Sequence, residues 1–180
     1  MITNTTDLMA NNDNTPRIYV ACLASYNAGI LHGVWIDVDS DPDTMEEEIQ
    51  TMLAGSPTPG AEEFAIHDTD CCDGLEIGEY SSLSEIAERF EFIEDCHDED
   101  LAIACLKLGS DLDDAKDYLD RFAGAADSFL DYASECADEC LLADVPNNVR
   151  FYFDYQAFAR DLACEMTTET VNGTVYIFHS

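Results

Sequence analysis

The chain has 180 residues and carries 39 Asp and Glu against 7 Lys and Arg, a net charge of −32. Seven cations cannot offset that charge, which excludes a protein that grips nucleic acid by its phosphates and argues against docking on an anionic membrane surface. Hydrophobic residues still make up 47% and aromatics 10%, so the chain keeps the means of building a core and is not an acidic disordered segment.

Residues 1–15 read as a polar, flexible leader with neither a basic n-region nor an apolar h-region, so no signal peptide is expected. No run approaches the roughly 20 apolar residues of a membrane span, and a cytoplasmic location is expected. RIYVACLA (17–24) and HGVWIDV (32–38) read as strands on either side of a turn in SYNAG. Asp43 is placed to cap a helix through about residue 54, with Glu46 as its capping partner, and GSPTPG (55–60) ends that helix. EEFAIHD (62–68) is a third strand, so residues 16–78 form an antiparallel sheet with one short helix.

The middle of the chain changes character. Ser82 and Glu85 make an S-x-x-E capping box, after which Leu83, Ile86, Ala87, Phe90 and Ile93 recur at helical spacing. Glu85, Glu88, Glu91 and Glu94 lie mostly off that stripe and face water. Helices follow over 98–108 and 111–123, the second with Leu112, Ala115, Leu119 and Phe122 as its inner face. Residues 62–120 hold 20 acids and 3 bases, a net of −17, against −8 before them and −7 after. Beyond Gly124 a helix is expected through about 142, and VPNN breaks it. A second helix starts at Asp154, and VNGTVYIF (171–178) closes the chain with Asn172–Gly173 at a hairpin turn. The fold class is α+β, with an N-terminal module at 16–78, an acidic helical module at 79–120 and a C-terminal module at 121–180.

Eight cysteines stand at 22, 71, 72, 96, 105, 136, 140 and 164. Without an export signal they read as reduced, mostly buried thiols rather than a disulfide framework. Cys136 and Cys140 are four apart on a helix, with Cys71–Cys72 or Cys96–His97 as possible completions, but no CxxC pair exists and the spacing matches no common zinc template. Asp37, Asp39, Asp41 and Glu48 fit the spacing of a calcium loop. Pro42 opposes it, standing where that loop needs glycine, and so does a strand-like entering segment. There is no G-x-S-x-G and no Gly-rich phosphate loop, and His67 reads as a structural imidazole near a strand end. Carboxylate pairs are too common to mark an acid–base dyad. No catalytic residue, metal or cofactor is expected.

The acid itself remains to be explained. Solubility of a small domain needs a net charge of only about 2–8, and the excess repels itself. Either a saline cytoplasm favours it, or a partner that binds polyanions meets an imitation of one. Duplex DNA carries one charge per about 1.7 Å of axis, so the chain's charge matches roughly 54 Å, about 16 base pairs, and a symmetric dimer roughly 109 Å. In an imitation, phosphate would be replaced by Asp37, Asp39, Asp41, Asp43, Glu46, Glu47, Glu62, Glu63, Asp70, Asp73, Glu76 and Glu79 in the first half. The densest rows follow: Glu85, Glu88, Glu91, Glu94 and Asp95, then Asp98, Glu99 and Asp100, then Asp111, Asp113, Asp114, Asp117 and Asp120.

Three blocks carry a further signal: PRIYVACLASYNAGILHGVWIDV (16–38), GAEEFAIHD (60–68) and LLADVPNNVRFYFDYQAFARDL (141–162). They closely resemble the ArdA antirestriction proteins, most strongly in the last block, and the resemblance runs from about residue 16 to 180. It implies an elongated three-module α+β chain that forms a homodimer through its C-terminal module. It also implies a DNA mimic carried on conjugative elements, which occupies the DNA-binding groove of type I restriction–modification enzymes so that incoming DNA escapes cleavage. By motif, Tyr152, Asp154, Tyr155, Ala157, Arg160, Asp161 and Leu162 fall in the family's antirestriction segment, with Val145 and Pro146 ahead of them. The aromatic content of that segment points to packing and dimer contact, with Arg160 expected in a buried pair with a carboxylate. Eight cysteines exceed what the resemblance leads one to expect.

Overall fold

A computed structural model of the chain describes residues 15–180, so most of the polar leader lies outside the described residues. The chain is α+β and falls into two compact units. The first runs to Cys72 and adds Ile77–Leu83; the second comprises Asp73–Glu76 and Ser84–Ser180.

In the first unit, β1 (Arg17–Cys22) is the central strand of an antiparallel sheet, flanked by β2 (Gly33–Asp37) and β3 (Phe64–Asp70) in the order β2-β1-β3. Ile18, Val20 and Cys22 alternate inward along β1 and are fully buried. α2 (Pro42–Ala54) covers one face, burying Met45, Ile49, Met52 and Leu53 at helical spacing. The strand expected over 17–24 stops at Cys22, and Leu23–Asn27 forms a short helix, α1. Buried Ser25 is the reason: its hydroxyl bonds Ser56 Oγ at 2.9 Å and Thr58 Oγ1 at 3.0 Å, which draws the chain out of the sheet. The cap of α2 also differs from expectation. Pro42 occupies the first turn, where its missing N–H costs nothing, so the cap moves from Asp43 to Asp41. The Asp41 carboxylate accepts from the Asp43 N–H at 3.0 Å, and Glu46 accepts from Gln50 instead of bonding back to the cap.

The second unit holds α3 (Leu83–Asp95, from Ser84 onward), α4 (Glu99–Leu108), α5 (Leu112–Asp120), β4 (Phe122–Ala126), α6 (Phe129–Cys136), α7 (Asn147–Arg150), α8 (Tyr155–Leu162), β5 (Met166–Val171) and β6 (Thr174–His179). The three strands form an antiparallel sheet in the order β4-β6-β5. Leu101, Cys105 and Leu106 of α4, Ala115 of α5, and Val171, Tyr176 and Phe178 of the β5–β6 hairpin share one core, against which Phe92 and Ile93 of α3 pack. The acidic helices and the closing hairpin therefore bury their apolar faces in a common core. Gly109 makes the sharp α4–α5 turn possible, since a Cβ there would lie 2.7 Å from the Ala115 amide nitrogen. Asn172 and Gly173 close the hairpin with φ of 49° and 88°, the paired left-handed residues of a tight hairpin turn.

Two expected helices are shorter than their sequence pattern. The helix over 111–123 ends at Asp120, and Phe122 opens β4, where it pairs with Phe178 of β6. The helix expected straight after Gly124 begins only at Phe129, capped by Ser128, whose hydroxyl accepts from the Asp131 N–H at 3.1 Å. FAGAA has no β-branched residue to announce a strand, and its pairing with β6 decides its conformation. Cysteine burial is corrected too: only Cys22 and Cys105 are buried, three are half-buried, and Cys71, Cys140 and Cys164 are exposed.

Candidate functional site

Apart from Asp7 and Asp13, which lie outside the described residues, no Asp or Glu in the chain is buried. All of the predicted surface carboxylates are exposed except Asp39, Glu46 and Asp100, which are half-buried. They divide by what they touch. Asp41, Asp98, Asp111 and Asp154 are helix caps, each accepting a backbone N–H at the head of α2, α4, α5 or α8. Asp70 pairs with Arg17 at 2.6 Å, and the guanidinium holds its carboxyl below the usual range. Hydrogen bonds from Ser110 do the same for Asp114. Glu76 faces Arg89 at 3.7 Å, and Asp100 accepts from Asn172 at 2.9 Å.

Glu85, Glu88, Glu91, Glu94 and Asp95 are different: they stand exposed on α3, whose Ile86 and Ala87 are buried, and make no ion pair among the described residues. Asp113, Asp117 and Asp120 do the same on α5. Four of these α3 carboxylates, Glu85, Glu88, Glu91 and Asp95, line an open cleft of about 670 Å³ with Asp111 and Asp113 on its other side. Phe92 and Leu112 form its apolar floor, and Arg89 and Lys116 also line it. Carboxylates fixed on packed helices are held at intervals set by the helix itself, about 5–6 Å between Cβ atoms three or four residues apart.

The run Asp37–Glu48 is wound as a cap rather than as a calcium loop. Asp39 accepts from the Asp41 N–H at 2.8 Å and Asp41 from the Asp43 N–H, so both carboxylates turn toward the backbone. Among the described residues no group of three or more His, Cys, Asp and Glu is placed to hold a metal ion.

The segment 137–162 forms a second kind of site. A wide helical turn, Ala137–Leu141, follows α6, with Leu142 N–H donating to Ala137 O at 2.8 Å, a five-residue step. This turn presents Asp138, which accepts from Tyr155 Oη at 2.6 Å and lies 3.7 Å from Arg150. The bond to Asp138 also pushes the Tyr155 phenol up from its ordinary pKa. Arg150 donates to the carbonyls of Leu142, Ala143 and Val145, tying the chain break at VPNN to α7. Phe153 meets Tyr155 edge to face and Phe158 at a tilt, with 4.9 and 5.8 Å between ring centres. Outside this clamp, Leu141, Val149, Phe151 and Tyr152 are exposed, the last two at 88% each.

The antirestriction protein family ArdA matches residues 18–176. The chain belongs to the ArdA family. No curated protein matches the chain closely enough to count as a relative.

Within the segment that the resemblance singles out, the expected roles redistribute. Asp154 caps α8 through the Ala157 N–H at 2.9 Å, and Ala157 and Leu162 are half-buried, as are Val145 and Tyr155. Pro146, Tyr152, Arg160 and Asp161 are exposed. The buried Arg160–carboxylate pair is therefore not formed: the cation that pairs in this segment is Arg150, and Asp138 is its acid. The reason is helical register. Ala159 is the buried position of α8, and the next residue points away from it. Sequence reading missed the clamp because its members stand 12 and 17 residues apart, beyond any short-range pattern. The one available signal was scarcity, since each of seven cations among 39 acids is a costly choice unless it has a structural place.

Proposed function

We propose that the chain is a non-enzymatic inhibitor that imitates B-form DNA and competes with it for the DNA-binding groove of type I restriction–modification enzymes, protecting incoming mobile DNA. Antirestriction is what membership of the ArdA family implies. The observation that carries the finer reading is the row of exposed, unpaired carboxylates on α3 and α5, held on helices whose other faces are locked into a core. A DNA-binding groove is lined with Arg and Lys placed to meet phosphates, and carboxylates supply the same charge and comparable hydrogen-bond acceptors. Because the helices that carry the acceptors are already folded, only side-chain rotamers remain to be ordered on association.

The exposed apolar strip of Leu141, Val149, Phe151 and Tyr152 is the proposed surface for a second copy of the chain. A dimer would double the row and extend the imitation along the duplex.

The test is displacement. The purified protein is titrated into a type I methyltransferase core bound to fluorescent target DNA, at two salt concentrations. Release at near-stoichiometric protein, weaker at high salt, is expected; no release at large excess would overturn the proposal.

A further inference from the structure

The groove beside β3 differs in kind from the carboxylate rows. It holds about 590 Å³ and is lined by Tyr26 of α1, Ile66, His67 and Asp68 of β3, and Ile77 and Glu79 of the segment that follows, among others. Tyr26 and His67 meet at near right angles with ring centres 4.8 Å apart, and Tyr26 remains 55% exposed. The two isoleucines give the groove its apolar part, while Asp68 and Glu79 bring two carboxylates and no Lys or Arg lines it.

Its rim is fixed rather than loose. The Ile66 N–H donates to Glu79 O at 2.9 Å, and the Gly78 N–H donates to Ser81 Oγ at 2.8 Å. The neighbouring Glu79 carboxylate, as acceptor and as charge, raises the pKa of the Tyr80 phenol.

The chemistry of this lining selects its occupant. A neutral apolar group would desolvate two carboxylates without pairing them, and an anion would be repelled. An ammonium is a compact, strongly hydrated charge that gains little from an aromatic wall. A guanidinium is planar and weakly hydrated; it stacks on aromatic rings and pairs with carboxylates through a fork of donors. We propose that this groove seats one arginine side chain of the partner, with Tyr26 against the guanidinium, Asp68 and Glu79 as its acceptors, and the aliphatic stem over Ile66 and Ile77. The inference rests on the reading above, in which the partner presents cations. It adds discrimination, because an aromatic wall favours arginine over lysine beyond what forked pairing with carboxylates alone supplies.

The experiment uses the full chain and three short blocked peptides, Gly-Arg-Gly, its lysine counterpart and its citrulline counterpart, followed by NMR of the Tyr26 and His67 rings and the Ile66 and Ile77 methyl groups. The arginine peptide is expected to shift these signals saturably, the lysine peptide more weakly, and the uncharged citrulline peptide not at all. Tyr26→Leu, which keeps bulk, should weaken arginine binding by about 2- to 5-fold, the loss of one exposed cation–π contact. Asp68→Asn combined with Glu79→Gln should abolish it, with the amide spectrum reporting that the fold is intact. Equal response to arginine and lysine, or shifts confined to α3 and α5, would overturn the groove. The DNA-displacement assay separates the two proposals: failure of the unaltered protein to displace DNA overturns mimicry, whereas displacement without any groove response overturns the arginine seat alone.

Discussion

Asp98 and Glu91 are both exposed carboxylates on neighbouring helices, yet they should respond oppositely to replacement. Asp98 accepts the Leu101 N–H at 3.1 Å and lies 3.4 Å from Tyr176 Oη, so it satisfies a helix end that otherwise lacks partners. Asp98→Ala should destabilise the protein by about 1 kcal/mol. Glu91→Gln removes one of many repelling charges and breaks no pair, so its stability should stay within about 0.5 kcal/mol of the parent or rise slightly. Urea titrations of both variants, compared at unchanged slope, check the contrast. The Tyr155–Asp138 bond belongs to the first class. Its acceptor is ionised and the phenol half-buried, so Tyr155→Phe should cost about 1–2 kcal/mol in the same measurement. Equal stability of Tyr155→Phe and the parent would remove the clamp from the account of this segment.

The helices make the acid effective as a set. On α3, Ile86 and Ala87 face the core, and that turns Glu85, Glu88 and Asp95 toward the other side. On the proposed reading each carboxylate carries only a share of the imitation, so single replacements by Gln should change inhibition by less than about threefold, in keeping with the small worth of one exposed charge. Replacing Glu85, Glu88, Glu91, Glu94 and Asp95 together should reduce it severely while the helical circular dichroism stays unchanged. Near-complete loss from Glu88→Gln alone would refute a shared surface. This side of the molecule was legible in the sequence because period-3.6 patterning is local, and so were the β1–β3 sheet, the start of α8 at Asp154 and the Asn172–Gly173 turn. The illegible parts depend on partners distant in sequence. β4 is a strand only because β6 lies beside it, α1 turns because Ser25 finds Ser56 and Thr58, and Arg150 matters because Asp138 stands where the wide turn puts it. The Asp43 cap failed for a local reason: Pro42 claims the first turn and hands the cap to Asp41.

At the scale of the whole chain, a net charge of −32 acts on two equilibria with opposite sign. Folding gathers the carboxylates more closely than the unfolded chain does, so their repulsion opposes it, and added salt, by screening that repulsion, should raise the melting temperature. The proposed association with a cationic groove would be driven by the same charges, so salt should weaken it. The two slopes can be measured on one preparation, melting by circular dichroism and displacement of DNA by fluorescence, from about 0.05 to 0.5 M NaCl, where the Debye length falls below about 10 Å. An acidic domain adapted only to brine would show the first slope steeply, unfolding in dilute buffer, and would lack the second. A DNA imitation should keep its fold at low salt, because the buried apolar residues around Phe178 and Ile18 do not depend on screening, and should bind best there. Melting that rises with salt alongside displacement that falls is therefore the joint outcome expected, and displacement that stays flat across that range would rule out charge imitation even if the protein inhibits.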